Sequence, residues 1–461
     1  MNLHVVDAGF QTKSVHTRIP FKFGVHVLRA VPLAELTVTV EDAAGRRSVG
    51  RASDLLVPKW FDKRSESTPE EDSATLAESA RAALKTASTA DARDVFGLWC
   101  EVHSEQVGAR DHCDGDALVR GFGVALVERA LIDAACQMAG RSFHVALLDG
   151  TLGFDSGRVL EETAGWSPER LDDPARSIEV RHTVGMLDPL TVAEIPADKR
   201  VEDGLPQALE EDIAAYGVRW FKIKVCGDPK TDAERLRDVV RVVGESARYT
   251  LDGNEQCEDL ESLAGTLEDL RTDPICGRLV DRIALIEQPL PRRETFEASA
   301  NRALGRLSKI APVIIDEADT DVRAFTRAIE LGYAGVSVKA CKGVFRALAN
   351  RALIDVRNDP ALFQSGEDLT NLGSIPLQQD LALQATLGMK HVERNGHHYF
   401  RGLDHLSEQT RAELVRSHPE LYVREEDLTR VRIADGRIDV SSVVDGAGLG
   451  GTLGSIGTEE N

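Results

Sequence analysis

Aromatic side chains make up only 5% of the 461 residues, so a core of this size has to be packed largely with aliphatic chains and alanine. Positive charge is also in short supply. Against 76 Asp and Glu there are 55 Lys and Arg, and the net charge of -21 argues against nucleic acid or an anionic membrane as partner, since both need positive surface. No apolar run approaches a membrane span, and the first residues, MNLHVVDAGF, lack a basic segment followed by a hydrophobic one, so no signal peptide is expected. The 7 cysteines are odd in number and scattered, with no CxxC pair, which fits a reduced cytoplasmic protein. GxxxxGK, HExxH, GxSxG, zinc-knuckle spacings and solenoid repeats are all missing. The glycines of GEDLTN and GTLGSIG lack the strand, turn and helix that a dinucleotide fingerprint requires.

What is present is a series of short apolar runs from Trp220 to Lys342, each closed by charge. WFKIKV carries Lys222 and Lys224, YTLDGN carries Asp252, ALIEQP carries Glu287, VIIDEA carries Asp316 and Glu317, and VSVKACKG carries Lys339. From Lys224 the intervals are 28, 35, 29 and 23 residues, each long enough for a strand, a loop and a return helix. That is the pitch of consecutive βα units in a parallel sheet. A charge inside an apolar strand is costly to bury, but at the C-terminal end of a barrel strand it projects into the open mouth. Three oxygen-donor carboxylates gathered there suit a hard divalent ion such as Mg2+. Lysines on the flanking strands are placed to exchange a proton with the carbon next to a bound carboxylate, the metal taking up the enediolate charge.

These residues resemble the enolase superfamily, specifically the muconate cycloisomerase-like subgroup of the mandelate racemase/muconate lactonizing enzyme family, over about 18–450. The resemblance implies a modified (β/α)8 TIM-type barrel at 151–403. It further implies an α+β capping domain at 1–150 and a C-terminal segment, 404–461, that returns to the cap. It also implies that Lys224 is an acid/base, that Lys222 polarises the substrate carboxylate and tunes Lys224, and that Lys339 acts on the opposite face. Asp252, Glu287 and Asp316 become the magnesium ligands, with Asn254 and Glu317 behind them. Two features favour the two-lysine subgroup, namely Lys339 on the sixth strand and the lack of histidine in ALFQSGEDL. ACKGVF departs from the subgroup's usual turn after that lysine. The partner implied is a small carboxylate substrate, and a homo-oligomer is common in the family. Racemisation or epimerisation uses both lysines fully, with cycloisomerisation or dehydration as the alternative. A noncatalytic, metabolite-binding barrel is the remote one.

Elsewhere, Leu36, Val38 and Val40 alternate with polar residues as in an antiparallel hairpin. In RIPFKFGVHVL, Phe21, Phe23 and Val25 read equally as core or as substrate-facing. Trp60 and Phe61 read either as anchors of a solvated loop or as neighbours of the substrate. Pro69 breaks any helix before it and the alanine-rich LAESARAALKTA that follows reads as helical, a second helical pattern spans 116–139 with Gly140 to stop it, and His144 reads as a packed histidine. The first barrel strand is expected at IEVRHTVG and the eighth in MKHVERNGHHYF. Glu367 and Asp368 end the seventh and are candidates to hold a cationic group. Glu393 and Arg394 suggest an internal ion pair, and His397 and His398 suggest either a surface turn or a pair reaching the mouth.

Overall fold

The computed structural model describes residues 1–23, 26–108, 117–244 and 246–457. The side chains of Phe23 and Val25 lie outside the described residues, as does Cys113.

The chain opens with three antiparallel strands, β1 (Leu3–Phe23), β2 (His26–Asp42) and β3 (Arg47–Leu55). Leu36, Val38 and Val40 are fully buried on one face, as their alternation requires. Against this sheet lie α1 (Pro69–Thr89) and α3 (Ala117–Ala139), with α2 (Val95–Gln106) packed on both helices. Pro69 stands in the first turn of α1, where its missing N–H costs nothing, and Thr68 with Glu71 forms a capping box. The sheet and helix approach very closely at Gly50, where a Cβ would collide with the backbone of Ala130 on α3. A short helix, α4 (Phe143–Leu148), leads out of this capping domain.

Eight parallel strands follow: β4 (Ser177–Val184), β5 (Trp220–Lys224), β6 (Arg248–Asp252), β7 (Ile283–Glu287), β8 (Val313–Ile315), β9 (Gly335–Val338), β10 (Phe363–Gly366) and β11 (His391–Arg394). Each pairs with the next and β11 pairs with β4, closing a (β/α)8 barrel. Between β4 and β5 runs α5 (Leu209–Tyr216). Near the C-terminus Ala434 and Arg437 bond to each other across a tight turn. Tyr422–Glu425 pairs with Leu428–Val431, whereas Arg437–Asp439 lies antiparallel on the first half of β4. The last residues reach the capping domain, where Leu449 N–H donates to Asp133 and Ser455 Oγ to Glu35.

Candidate active site

Parallel register sets the first charges side by side. Lys224 pairs with Asp252 across β5 and β6, and Asp252 with Glu287 across β6 and β7, so three charged groups share one level at the C-terminal rim. Asp316 follows the last residue of β8 and Lys339 the last of β9. Lys224 Nζ donates to Asp252 Oδ2 at 2.6 Å, and Lys339 Nζ donates to Asp316 Oδ2 at 2.5 Å. The two lysines therefore hold the outer two of the three carboxylates, with Glu287 between them.

Lys222 also points inward, as a residue two before Lys224 must, but one level deeper. Its ammonium is wholly buried and lies 2.6 to 2.9 Å from four carboxylates: Asp252, Glu287, Glu367 and Glu393. Burial alone would depress its pKa, but these anions overcome that and raise it. Lys339 is treated the same way, burial being outweighed chiefly by Asp316, so it too is held as an ammonium.

Among the acids, the balance differs from one to the next. Asp316 resists the upward push of burial because Lys339 and Lys342 stand beside it, and its pKa falls well below the usual carboxylate range. Glu287 is raised, by burial and then by Asp252 and Glu367. Glu317 is pushed up to about 7 by burial and by Asp316. Glu287 Oε1, Glu317 Oε2 and Asn254 Oδ1 have no hydrogen-bond partner though all are buried, and Glu287 Oε2 meets only the Lys222 ammonium. Buried, underpaired oxygens next to an anionic Asp252 and Asp316 are the donor set a hard cation needs, so these residues fit magnesium.

Residues 205–454 match the family described as Enolase C-terminal domain-like, which is more than half of the chain. The chain belongs to the enolase superfamily, in its mandelate racemase/muconate lactonizing enzyme family. Among solved structures, it is similar to an enolase from Bradyrhizobium complexed with magnesium and mandelic acid, at 16% identity and a TM-score of 0.62, covering 98% of this chain and 96% of that one. The L-Ala-D/L-Glu epimerase from Bacillus subtilis is similar at 14% identity and a TM-score of 0.62, covering 98% and 99%. The 2-chloromuconate cycloisomerase from Rhodococcus opacus is similar at 16% and a TM-score of 0.60, covering 98% and 97%. At these identities the likeness shows the fold. Uncharacterized proteins of Mycobacterium tuberculosis and Mycobacterium bovis are 28% identical over 141 residues, which is 30% of this chain and only 15% of their own length.

As an enolase-superfamily barrel, the chain has a mouth covered by its own capping domain. Trp60, buried, sets its indole over Lys339 with the ring centre 4.5 Å from Nζ, so of the two roles open to it, the loop lies at the site. Arg292, beyond β7, holds that loop by donating to the carbonyls of Trp60 and Phe61 while its Nε and Nη2 engage Glu255. Lys63 completes the latch, donating to the Asn254 carbonyl and pairing with Glu255 at 2.7 Å. Asn254 turns back through its N–H to Asp252 and through its side-chain amide to Glu317. Phe21 goes to the core, stacked on Tyr399.

Several assignments need correction. Glu367 and Asp368 are not free to hold a substrate cation. Glu367 is taken by Arg181, Ser365 and Lys222, and Asp368 by Arg394 and the N–H groups of Asn371 and Asn395. Glu393 and Arg394 do not pair with each other, because neighbours on a strand face opposite ways. Glu393 turns inward to Lys222 and Thr183, and Arg394 turns outward to Asp380 and Asp368. His397 and His398 form no surface turn, since they lie in a short helix, Gly396–Tyr399, with His398 buried, and face His182 and Asp212. Glu393, Arg181, Arg292 and Lys342 were not singled out as site residues. For Lys342 a signal existed, since the ACKG turn carries a second lysine, which binds Asp316 and Asp319.

Proposed function

We propose that the protein removes the α-proton of a carboxylate substrate in a magnesium-dependent reaction, and that the outcome is racemisation or epimerisation. The observation that carries this reading is the pair Lys224 and Lys339, hydrogen-bonded to Asp252 and Asp316 on either side of Glu287. Asp252, Glu287 and Asp316 would hold the ion, Asp316 being preferred to Glu317 because it stands at the rim against Lys339, whereas Glu317 is engaged by the side-chain amide of Asn254. Bound there, magnesium supplies the positive charge that makes the α-proton of a coordinated carboxylate acidic.

The rest is the work of side chains. One lysine takes the proton from one face of the α-carbon and the other returns a proton to the opposite face. Lys222, with charge shared among four carboxylates, keeps the floor of the site electrically balanced and fixes Asp252 and Glu287 in position. Trp60 and the loop latched by Arg292 exclude water from the carbanionic species. The structural neighbours described as an epimerase and as a cycloisomerase support both outcomes at the level of shared fold. Incubating the protein with a library of carboxylic acids, amino-acid derivatives included, in deuterated water with magnesium tests the reading. Solvent deuterium should appear at the α-carbon of at least one acid, and only with the metal. Exchange that persists undiminished after chelation would overturn the role given to the ion.

A further inference from the structure

A second group of metal-ligating side chains lies outside the barrel, distinct from the carboxylates at its mouth. Because Arg181 and Thr183 point inward, to Glu367 and Glu393, His182 between them must point outward from β4. There it meets Asp212 on α5 and His397 from the helix that follows β11. Ligating atoms of these three lie within 4.8 Å of one another, the one such group among the described residues. His182 Nδ1, the nitrogen that would take the ion, is 3.2 Å from His397 Nε2, while its other ring nitrogen, Nε2, lies 3.6 Å from Asp212 Oδ2.

We propose that His182, Asp212 and His397 form a structural site for a divalent transition cation of the zinc class. Imidazole and carboxylate are the ligands such ions take, at bonds of about 2.0–2.2 Å, which puts tetrahedral ligand atoms about 3.3 Å apart. The nitrogens of His182 and His397 already stand at that spacing. His182 and Asp212 are buried, at 1% and 0% exposure, so the imidazole and the carboxylate meet away from solvent. His398 adds the outer support that such sites use, its Nδ1 standing 3.0 Å from Asp212 Oδ2 and orienting the carboxylate. The group is wider than a loaded site, and binding draws the three together.

Position gives the site a purpose. His182 belongs to the first barrel strand, Asp212 to α5 and His397 to the short helix after the last strand, so one ion would staple the seam where β11 closes on β4. Arg18 of the capping sheet ties into the same place, donating to the His398 carbonyl at 3.0 Å and pairing with Asp203. Metal binding there should therefore act as folding energy for both barrel closure and cap attachment.

The test uses the full chain, stripped with chelator and titrated with zinc alone in excess magnesium. Wild type should bind one equivalent and gain thermal stability. Asp252→Asn should bind zinc equally well, while His397→Ala should lose at least tenfold in affinity together with the thermal gain. Replacing zinc by Co2+ in wild type should give the intense visible bands of a tetrahedral site, and X-ray absorption should count two imidazoles. That measurement decides the matter even if the His397 variant fails to fold. No tight zinc, zinc abolished by Asp252→Asn but not by His397→Ala, or an oxygen-only shell would each overturn the proposal and leave a hydrogen-bonded histidine network.

Discussion

Trp60 of the capping domain and Lys339 of the sixth barrel strand meet face to ammonium, Nζ standing 4.5 Å from the centre of the indole. A desolvated contact of this kind is worth up to about 2 kcal/mol. Trp60→Leu should keep the fold but expose Lys339, lowering turnover by about tenfold with a smaller change in KM. Steady-state kinetics on whichever acid exchanges its α-proton checks this, and unchanged kcat would reduce Trp60 to an anchor of its loop.

Arg292 is the latch for that loop. Its buried guanidinium satisfies two carbonyls and Glu255 at once. Arg292→Met should leave Glu255 with Lys63 alone and cost about 3–5 kcal/mol, the penalty for breaking a buried pair by removing one partner. Urea unfolding measures the loss, and hydrogen exchange should rise in 58–66 first.

Glu128 on α3 reaches under the start of helix Val344–Arg357 and accepts the N–H groups of Val344 and Phe345. Burial nevertheless wins, and its carboxyl is pushed up to about 7 from 4.5. A carboxyl whose folded pKa is raised binds more protons in the folded state, so its contribution to stability falls as pH climbs from about 4.5 to about 7 and is level above that. Relative to Glu128→Gln, wild type should lose about 2–3 kcal/mol between pH 5 and pH 8. Denaturant curves at the two pH values check the sign as well as the size.

At the metal, Asp252→Asn should abolish magnesium binding in calorimetry. Asp316→Asn should weaken it strongly and Glu317→Gln only modestly, since Glu317 carries the partner role to Asn254. The reverse order for the last two would move the third ligand to Glu317.

Much of this site was legible because barrel strands announce themselves locally. An apolar run of about five residues ending in charge, repeated at βα pitch, is enough to put Lys224, Asp252, Glu287, Asp316 and Lys339 on one rim. What was hidden depends on partners distant in the chain. Glu393 belongs to Lys222, 171 residues away, and no local pattern says so. Glu367 looked available only because its partner, Arg181, sits on the far side of the barrel closure. His397 and His398 are hidden for a related reason: a short polar stretch after NG looks like a turn, and only the outward face of β4 supplies the buried Asp212 and His182 neighbourhood.

In the proposed reaction Lys224 and Lys339 address opposite faces of one carbon. Its most direct test is α-deuterium exchange, followed separately for each enantiomer of a responsive acid, in Lys224→Ala and Lys339→Ala. Both variants should lose net inversion by about a hundred- to ten-thousand-fold. Each should still exchange the α-proton of one enantiomer, and the two variants should retain opposite ones. Near-normal inversion in both variants, or retention of the same enantiomer's exchange by both, would contradict the account.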